Sequence, residues 1–216
     1  MADFSQLSTH EKKIAGLKND FLDEFSLEEE IFTIQNEILA PLRQAVGKKT
    51  KIKLRLGNHD IRWMRIAESN LKALGEMLKS MRANRSLELE DVLKLDKFGI
   101  QMSYRPVDVL YDQFTLTHGV KTNKMVAKQN LLRYGSGTSG HTHRMGTWTE
   151  VMHGKLQSWN ESGCLRMIDN VEYLPIGDRP HWCHGFLELT INAERFFCSP
   201  HIIVKGQTDF HGQIFR

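Results

Sequence analysis

Residues 52–60 read Ile52-Lys53-Leu54-Arg55-Leu56-Gly57-Asn58-His59-Asp60, an alternating apolar segment that runs directly into Gly-Asn-His-Asp. The alternation predicts a short strand, and the Gly-Asn pair is typical of a turn at its end. Asn58 offers a carbonyl oxygen, and His59 offers a nitrogen that binds metal or transfers a proton near neutral pH. Asp60 is suited to holding the His59 ring in one tautomer. Taken alone, these four residues are equally compatible with an ordinary turn.

Two later segments place histidine beside glycine in the same way. His118-Gly119 follows the alternating strand predicted over 114–117, and Gly140 precedes His141-Thr142-His143. Histidines at positions i and i+2 of an extended segment point to the same side, which suits chelation. A lone histidine at a strand end is more often packed or exposed than bound to metal, so neither segment is specific by itself.

The combination is more specific than its parts. Three strand-like segments each end with glycine next to histidine, and in an α/β fold such strand ends meet at one edge. Nitrogen and oxygen donors without thiolates suit Mn, Fe(II), Zn or Ni. The pattern therefore predicts a transition-metal site at that edge.

The order of elements predicts one layered α/β domain over residues 1–216, with alternating helices and strands followed mainly by strands. Amphipathic helices are predicted over 26–46 and 122–134, and a shorter helix carrying Leu89 is predicted to be capped by Ser86. A hairpin is predicted over 107–117, followed by strands over 147–152, 155–159, 186–191 and 196–204. Residues 160–164 are predicted to form a turn, and His181 to His184 to approach the next strand with the tryptophan ring packed.

Composition narrows the class of protein. The 216 residues are 40% hydrophobic and 25% charged with a net charge of +3, which excludes a disordered chain and gives no sign of nucleic-acid binding by charge alone. No apolar run is long enough for a membrane span, and residues 1–13 lack the apolar core of a secretory signal, so we expect a cytoplasmic protein. The three widely spaced cysteines predict reduced, partly buried thiols rather than a zinc site.

The series Gly57-Asn58-His59-Asp60, Thr117-His118-Gly119 and Gly140-His141-Thr142-His143 resembles the last three metal motifs of the calcineurin-like metallophosphoesterases. The resemblance covers about residues 50 to 145. It implies a two-sheet β-sandwich flanked by helices and two divalent metal ions, which are Mn, Fe, Zn or Ni.

The resemblance also implies a role for each matching residue. Asn58, His118 and His141 would bind one metal ion, and His143 would bind the other. His59 would stabilise the transition state or protonate the leaving oxygen, with Asp60 orienting it. The site would act as a dinuclear metal centre in phosphoester hydrolysis.

Two earlier motifs of the family, Asp-x-His and Gly-Asp-x-x-Asp, are missing upstream of Gly57. Asp3 matches the final aspartate of the second motif, so the resemblance implies an incomplete sandwich without its first strands. The chain alone would then hold one metal ion or none. A miscalled start or truncation is favoured over a split gene with the N-terminal segment supplied in trans, and over a degenerate relative.

The leading hypothesis is therefore a metal-dependent phosphoesterase, impaired in this chain alone. Its substrate would be a phosphoester, with a slight preference for nucleotides or nucleic acid because the 61–117 insertion is rich in basic residues: Arg62, Arg65, Lys72, Lys79, Arg82 and Arg85. The alternative is a non-catalytic binding or scaffold protein derived from a phosphoesterase. A nucleic-acid binder without catalysis is the third possibility.

Overall fold

The computed structural model describes residues 27–58, 60–61, 88–165, 168 and 181–216. The chain divides into two compact units, Ala2–Tyr104 and Arg105–Arg216, the latter with Met1. The architecture is mixed α/β with several sheets and few helices, which confirms the coarse fold prediction. The single domain over 1–216 stays a prediction. No helix within the described residues is both long and apolar enough to cross a bilayer.

The first unit opens with the helix that was predicted over 26–46. It runs as α1 (Leu27–Thr33), a π-helical segment (Ile34–Leu39) and α2 (Ala40–Val46). Pro41 lies in the first turn of α2, where its missing N–H removes one helical hydrogen bond. The preceding amide of Ala40 donates to the carbonyl of Gln35, five residues back. The proline therefore coincides with a local widening of the helix rather than with its end.

Two parallel strands complete the described part of the first unit. β1 (Ile52–Arg55) pairs with β2 (Ile100–Ser103), and α3 (Leu89–Val92) and a 3-10 helix (Leu95–Phe98) precede β2 in the chain. The N-cap of α3 is Glu88, and Ser86, which was predicted to cap this helix, lies outside the described residues. These elements share one apolar core of six buried residues: Ile34, Leu39, Leu89, Leu93, Leu95 and Ile100.

The second unit contains a five-stranded sheet in the order β3-β4-β5-β7-β6. Its strands are β3 (Val107–Leu110), β4 (Phe114–Thr117), β5 (Gly137–Ser139), β6 (Met145–Met152) and β7 (Lys155–Ser162). β4, β5 and β7 are mutually parallel, whereas β3 and β6 run antiparallel to their neighbours. The predicted hairpin is confirmed. The turn predicted over 160–164 is wrong, because β7 continues through Ser162.

The core beneath this sheet is built around Trp159 on β7. Its side chain is fully buried and packs with Ala127 and Leu131 of helix α4 (Val126–Tyr134). Gly137 on β5 lies opposite Trp159, and a Cβ there would come within 2.6 Å of the tryptophan ring. Because only glycine leaves this space, β5 can lie against the large ring without distortion.

A second, antiparallel sheet has the order β11-β10-β9-β8. It comprises β8 (Gly185–Ile191), β9 (Phe196–Val204), β10 (Gln207–Phe210) and β11 (Gln213–Phe215). One face of β9 contacts the five-stranded sheet: the rings of Phe196 and Phe114 meet edge to face at 4.8 Å, and the Asn160 amide lies 3.4 Å from Sγ of Cys198. Burial raises the pKa of the Cys198 thiol to about 11, so the thiol stays protonated.

The other face of the four-stranded sheet carries the buried His201. His201 places Nδ1 at 2.9 Å from the backbone oxygen of Asp209 and Nε2 at 3.0 Å from Glu188, whose carboxylate also meets His211. A carbonyl and a carboxylate only accept hydrogen bonds, so both contacts are satisfied at once only by the doubly protonated ring. Accordingly, the Asp209 carbonyl and then Glu188 raise the pKa of His201, and the two histidines lower the pKa of Glu188.

We expect this cluster to make the stability of the second unit pH-dependent. A raised histidine pKa stabilises the folded chain fully below the ordinary value of 6.5, and that stabilisation is lost as pH rises through the folded-state pKa. The lowered pKa of Glu188 acts oppositely: its contribution is present above 4.5 and is lost at lower pH. In urea unfolding, His201→Gln should therefore destabilise the protein more at about pH 5.5 than at about pH 8.5.

The matched control is His153→Gln, in the turn between β6 and β7. Its effect on the urea midpoint should be similar at both pH values. If His201→Gln lowered the stability equally at both pH values, the His201 ring would contribute packing alone.

Candidate metal centre

The three parallel strands of the second unit end at one edge of their sheet. Thr117 of β4, Ser139 of β5 and Glu161 of β7 lie level across the sheet. His118 therefore follows β4, and Gly140 and His141 follow β5, at neighbouring positions of the same edge. This is the convergence of strand ends that the sequence predicted for these two segments.

The His118 and His141 rings face each other at this edge. Nε2 of His118 lies 3.2 Å from Nδ1 of His141, and the ring centroids are 5.0 Å apart. Two nitrogens at that separation, each about 2.0–2.1 Å from a shared ion, would subtend about 100° at it. That angle lies between octahedral and tetrahedral geometry, so the distance between the nitrogens suits two ligands of one divalent ion. In this structure the same two nitrogens are hydrogen-bonded to each other.

The loop after β5 holds its histidines on an unusual backbone. His141 and His143 have φ of 59° and 58°, in the left-handed region that L-residues seldom occupy. Such residues cost about 1–3 kcal/mol each and concentrate at functional sites. Gly119 has φ of 93°, a backbone conformation that favours glycine, and it lies against the Cβ of His141. Six other non-glycine residues of the described chain also have positive φ, so the conformation does not by itself distinguish these histidines.

His143 lies on the same loop and contacts the segment that leads into β8. Its ring meets that of Trp182 edge to face at 4.2 Å, and its carbonyl accepts a hydrogen bond from the amide of Cys183 at 2.8 Å. His184 then forms a bridge with Cys164 beside β7. The predicted packing of the tryptophan ring on the approach to β8 is confirmed.

The Gly-Asn-His-Asp segment belongs to the first unit, where Asp60 supports the turn. The amide of buried Gly57 donates to Oδ2 of Asp60 at 2.6 Å, and the amide of Ile61 donates to the Gly57 carbonyl at 3.1 Å. An acidic side chain that bonds back to the residue three positions earlier is a helix-start arrangement. Asn58 is half-buried. His59 lies outside the described residues, so its orientation by Asp60 stays a prediction.

The structure thus brings His118 and His141 together, with His143 on the same loop. Within the described parts of the chain, no group of three or more His, Cys, Asp or Glu side chains is arranged to hold a metal ion. Ligation by Asn58 next to His118 and His141, and a second ion at His143, remain predictions.

Sequence reasoning missed a largely buried ion pair at this edge. Arg144, next to His143, meets Glu161 with 2.8 Å between Nη2 and Oε1, and both side chains are largely buried. Glu161 had been assigned to a turn, which hid its place on β7. The signal available in the sequence was an arginine directly after the histidine pair.

Comparisons with known proteins add no relative: no family model, no curated protein and no solved structure matches this chain. The resemblance to the metallophosphoesterases therefore stays a prediction from the motif residues.

Proposed function

We propose that this chain carries part of a dinuclear metal centre that hydrolyses phosphoester bonds. The observation that carries the proposal is the His118–His141 pair, whose facing nitrogens are 3.2 Å apart at the ends of adjacent parallel strands. The order of the three motifs in the sequence supplies the reaction class.

The protein groups divide into ligands and a proton-transfer pair. Asn58, His118 and His141 would hold one divalent ion, and His143 would contribute to the second. Mn, Fe, Zn or Ni suits this set of nitrogen and oxygen donors. A metal pair supplies activation of the attacking water and neutralisation of the phosphoryl charge.

His59 acts at the leaving group in this proposal. An imidazolium donates its proton to the departing oxygen and is suited to this near neutral pH. Asp60 orients that ring while its Oδ2 accepts the Gly57 amide, so one carboxylate couples the turn to the proton donor. The substrate is a phosphoester, and the basic 61–117 insertion favours a nucleotide or nucleic-acid diester.

The test measures metal binding and hydrolysis separately. Mn²⁺ and Zn²⁺ binding to the 216-residue chain is followed by calorimetry, and turnover of an aryl phosphodiester is followed with and without added Mn²⁺. We expect metal binding, and slow turnover that depends on the added Mn²⁺. His141→Ala should weaken metal binding more than about tenfold, since even the loss of a group behind a ligand costs 10–100-fold.

The control is His153→Ala, which makes the same substitution at a histidine with the same left-handed backbone, φ 51°. Any penalty from placing alanine on that backbone is shared, so a difference in metal affinity reports the His141 imidazole. Metal binding without turnover would favour the scaffold protein. Equal metal affinity in the two variants would contradict a metal centre at this edge of the sheet.

A further inference from the structure

Arg144 joins three segments of the sheet edge through one side chain. Its Nε and Nη2 lie 3.1 and 2.8 Å from Oε1 of Glu161 on β7. Its Nη1 donates to the carbonyl of Thr122 at 3.2 Å, and Nη2 donates to that of Asn123 at 2.8 Å. Thr122 and Asn123 belong to the segment that begins at His118, and Arg144 itself ends the segment that carries His141.

The backbone of Arg144 strengthens the same junction. Its carbonyl accepts a hydrogen bond of 2.7 Å from the amide of Gly163, directly after β7. Its amide lies 3.4 Å from Oγ1 of Thr142, between the two histidines of the loop. The loop after β5 is therefore attached to β7 by main chain and side chain together, only a few residues from His141.

The geometry of this junction requires a guanidinium. Four of its five N–H groups are used, and they point to a carboxylate and two carbonyls in different directions. A lysine ammonium is a point charge on a flexible stem and does not span these acceptors together. Because Glu161 neutralises the charge and only 18% of the Arg144 side chain is exposed, the group serves the protein's own segments rather than a substrate phosphate.

We propose that Arg144, held by Glu161, is a positioning residue that fixes the loops after β4 and β5 at the separation where His118 and His141 share one divalent ion. This inference rests on the proposed function for its metal, but the positioning itself is a property of the metal-free chain. In this role Arg144 acts through its hydrogen bonds to the Thr122–Asn123 segment and to Thr142.

The test compares Arg144→Lys with Arg133→Lys in the 216-residue chain. Arg133 lies on α4 against the Tyr134 ring, so its substitution makes the same chemical change away from the histidines. Two properties are measured: the contact between the His118 and His141 rings in the metal-free chain, by nuclear Overhauser effects, and the Zn²⁺ affinity, by competition with a chelator dye. Melting temperatures are recorded for both variants.

We expect Arg144→Lys to lose the ring–ring contact and to bind Zn²⁺ about 10–100-fold more weakly, the usual effect of removing a group that orients ligands. Arg133→Lys should preserve both. Glu161→Gln keeps the Oε1 acceptor and should retain the ring contact better than Arg144→Lys does. A purely structural role would lower the melting temperature and leave the ring contact of the folded protein intact, which would overturn the proposal.

The two proposals fail in different ways. If the unsubstituted chain shows the ring contact but binds no Zn²⁺, the metal centre is wrong, and the effect of Arg144→Lys on the ring contact still decides the positioning role. If Arg144→Lys keeps the ring contact and the full Zn²⁺ affinity, the positioning role is wrong and the metal centre stands.

Discussion

Replacing Trp159 by alanine is expected to lower the free energy of unfolding of the second unit by about 3–5 kcal/mol, the usual cost of removing a large buried aromatic ring. The side chain is fully buried between α4 and the five-stranded sheet. Its indole N–H donates to Oγ of Ser139 at 3.0 Å, and Ser139 is itself buried. The substitution therefore leaves both a cavity and a buried hydroxyl without its donor.

The loss is measured by urea unfolding, with Trp148→Ala as the control. Trp148 pairs with Trp159 across β6 and β7 but is only half-buried, and its N–H bonds to Glu150. Its removal should cost clearly less. Trp159→Phe fills most of the space and should fall between the two. A Trp159→Ala variant no less stable than Trp148→Ala would show that this core does not hold β5 and β7 together.

Segments with strong local patterns could be predicted from the sequence. The hairpin of β3 and β4 and the strand β9 were predicted within a residue of their bounds, because alternating apolar residues and turn residues specify them locally. The helix over 26–46 was predicted in extent but not in its π-helical middle. That detail depends on how the chain accommodates Pro41.

The end of β7 could not be predicted because its polar residues are satisfied by distant parts of the chain. Asn160 is buried, yet its side chain bonds to the Gly137 carbonyl, to Thr147 and to Cys198. In the sequence alone, Asn160-Glu161-Ser162-Gly163 is typical of a turn. β5 was not predicted for the same reason: it consists of small residues, and its partner strands on both sides are distant in sequence.

The candidate site likewise has one feature that local sequence predicts and one that depends on tertiary packing. His118 and His141 could be proposed as neighbours because each follows a strand, and parallel neighbouring strands end together. The Arg144–Glu161 pair joins residues 17 positions apart, because the register of β6 and β7 brings the residue before β6 to the end of β7. Local pattern thus indicated the chemistry of the edge, whereas tertiary packing determines what holds that edge in place.

The second large effect is expected when His59 is replaced by asparagine. If His59 donates a proton to the leaving oxygen, its loss should reduce turnover by about 10²–10⁴-fold, the usual contribution of general acid catalysis. Metal content should stay nearly unchanged, because His59 binds no metal in the proposed site. His118→Ala, by contrast, should lower the metal content, because one of the two facing imidazoles is gone.

Comparing the two variants separates chemistry from binding. Metal content is measured by elemental analysis after dialysis. Turnover is measured by release of the aryl alcohol from the phosphodiester. Added Mn²⁺ should partly restore His118→Ala, since excess metal compensates for weakened affinity, but should leave His59→Asn slow at every concentration. The pH dependence adds a further distinction: the falling limb at high pH, which reports loss of the acid's proton, should disappear in His59→Asn. Loss of metal from His59→Asn would instead place His59 among the ligands and contradict its assignment as the proton donor.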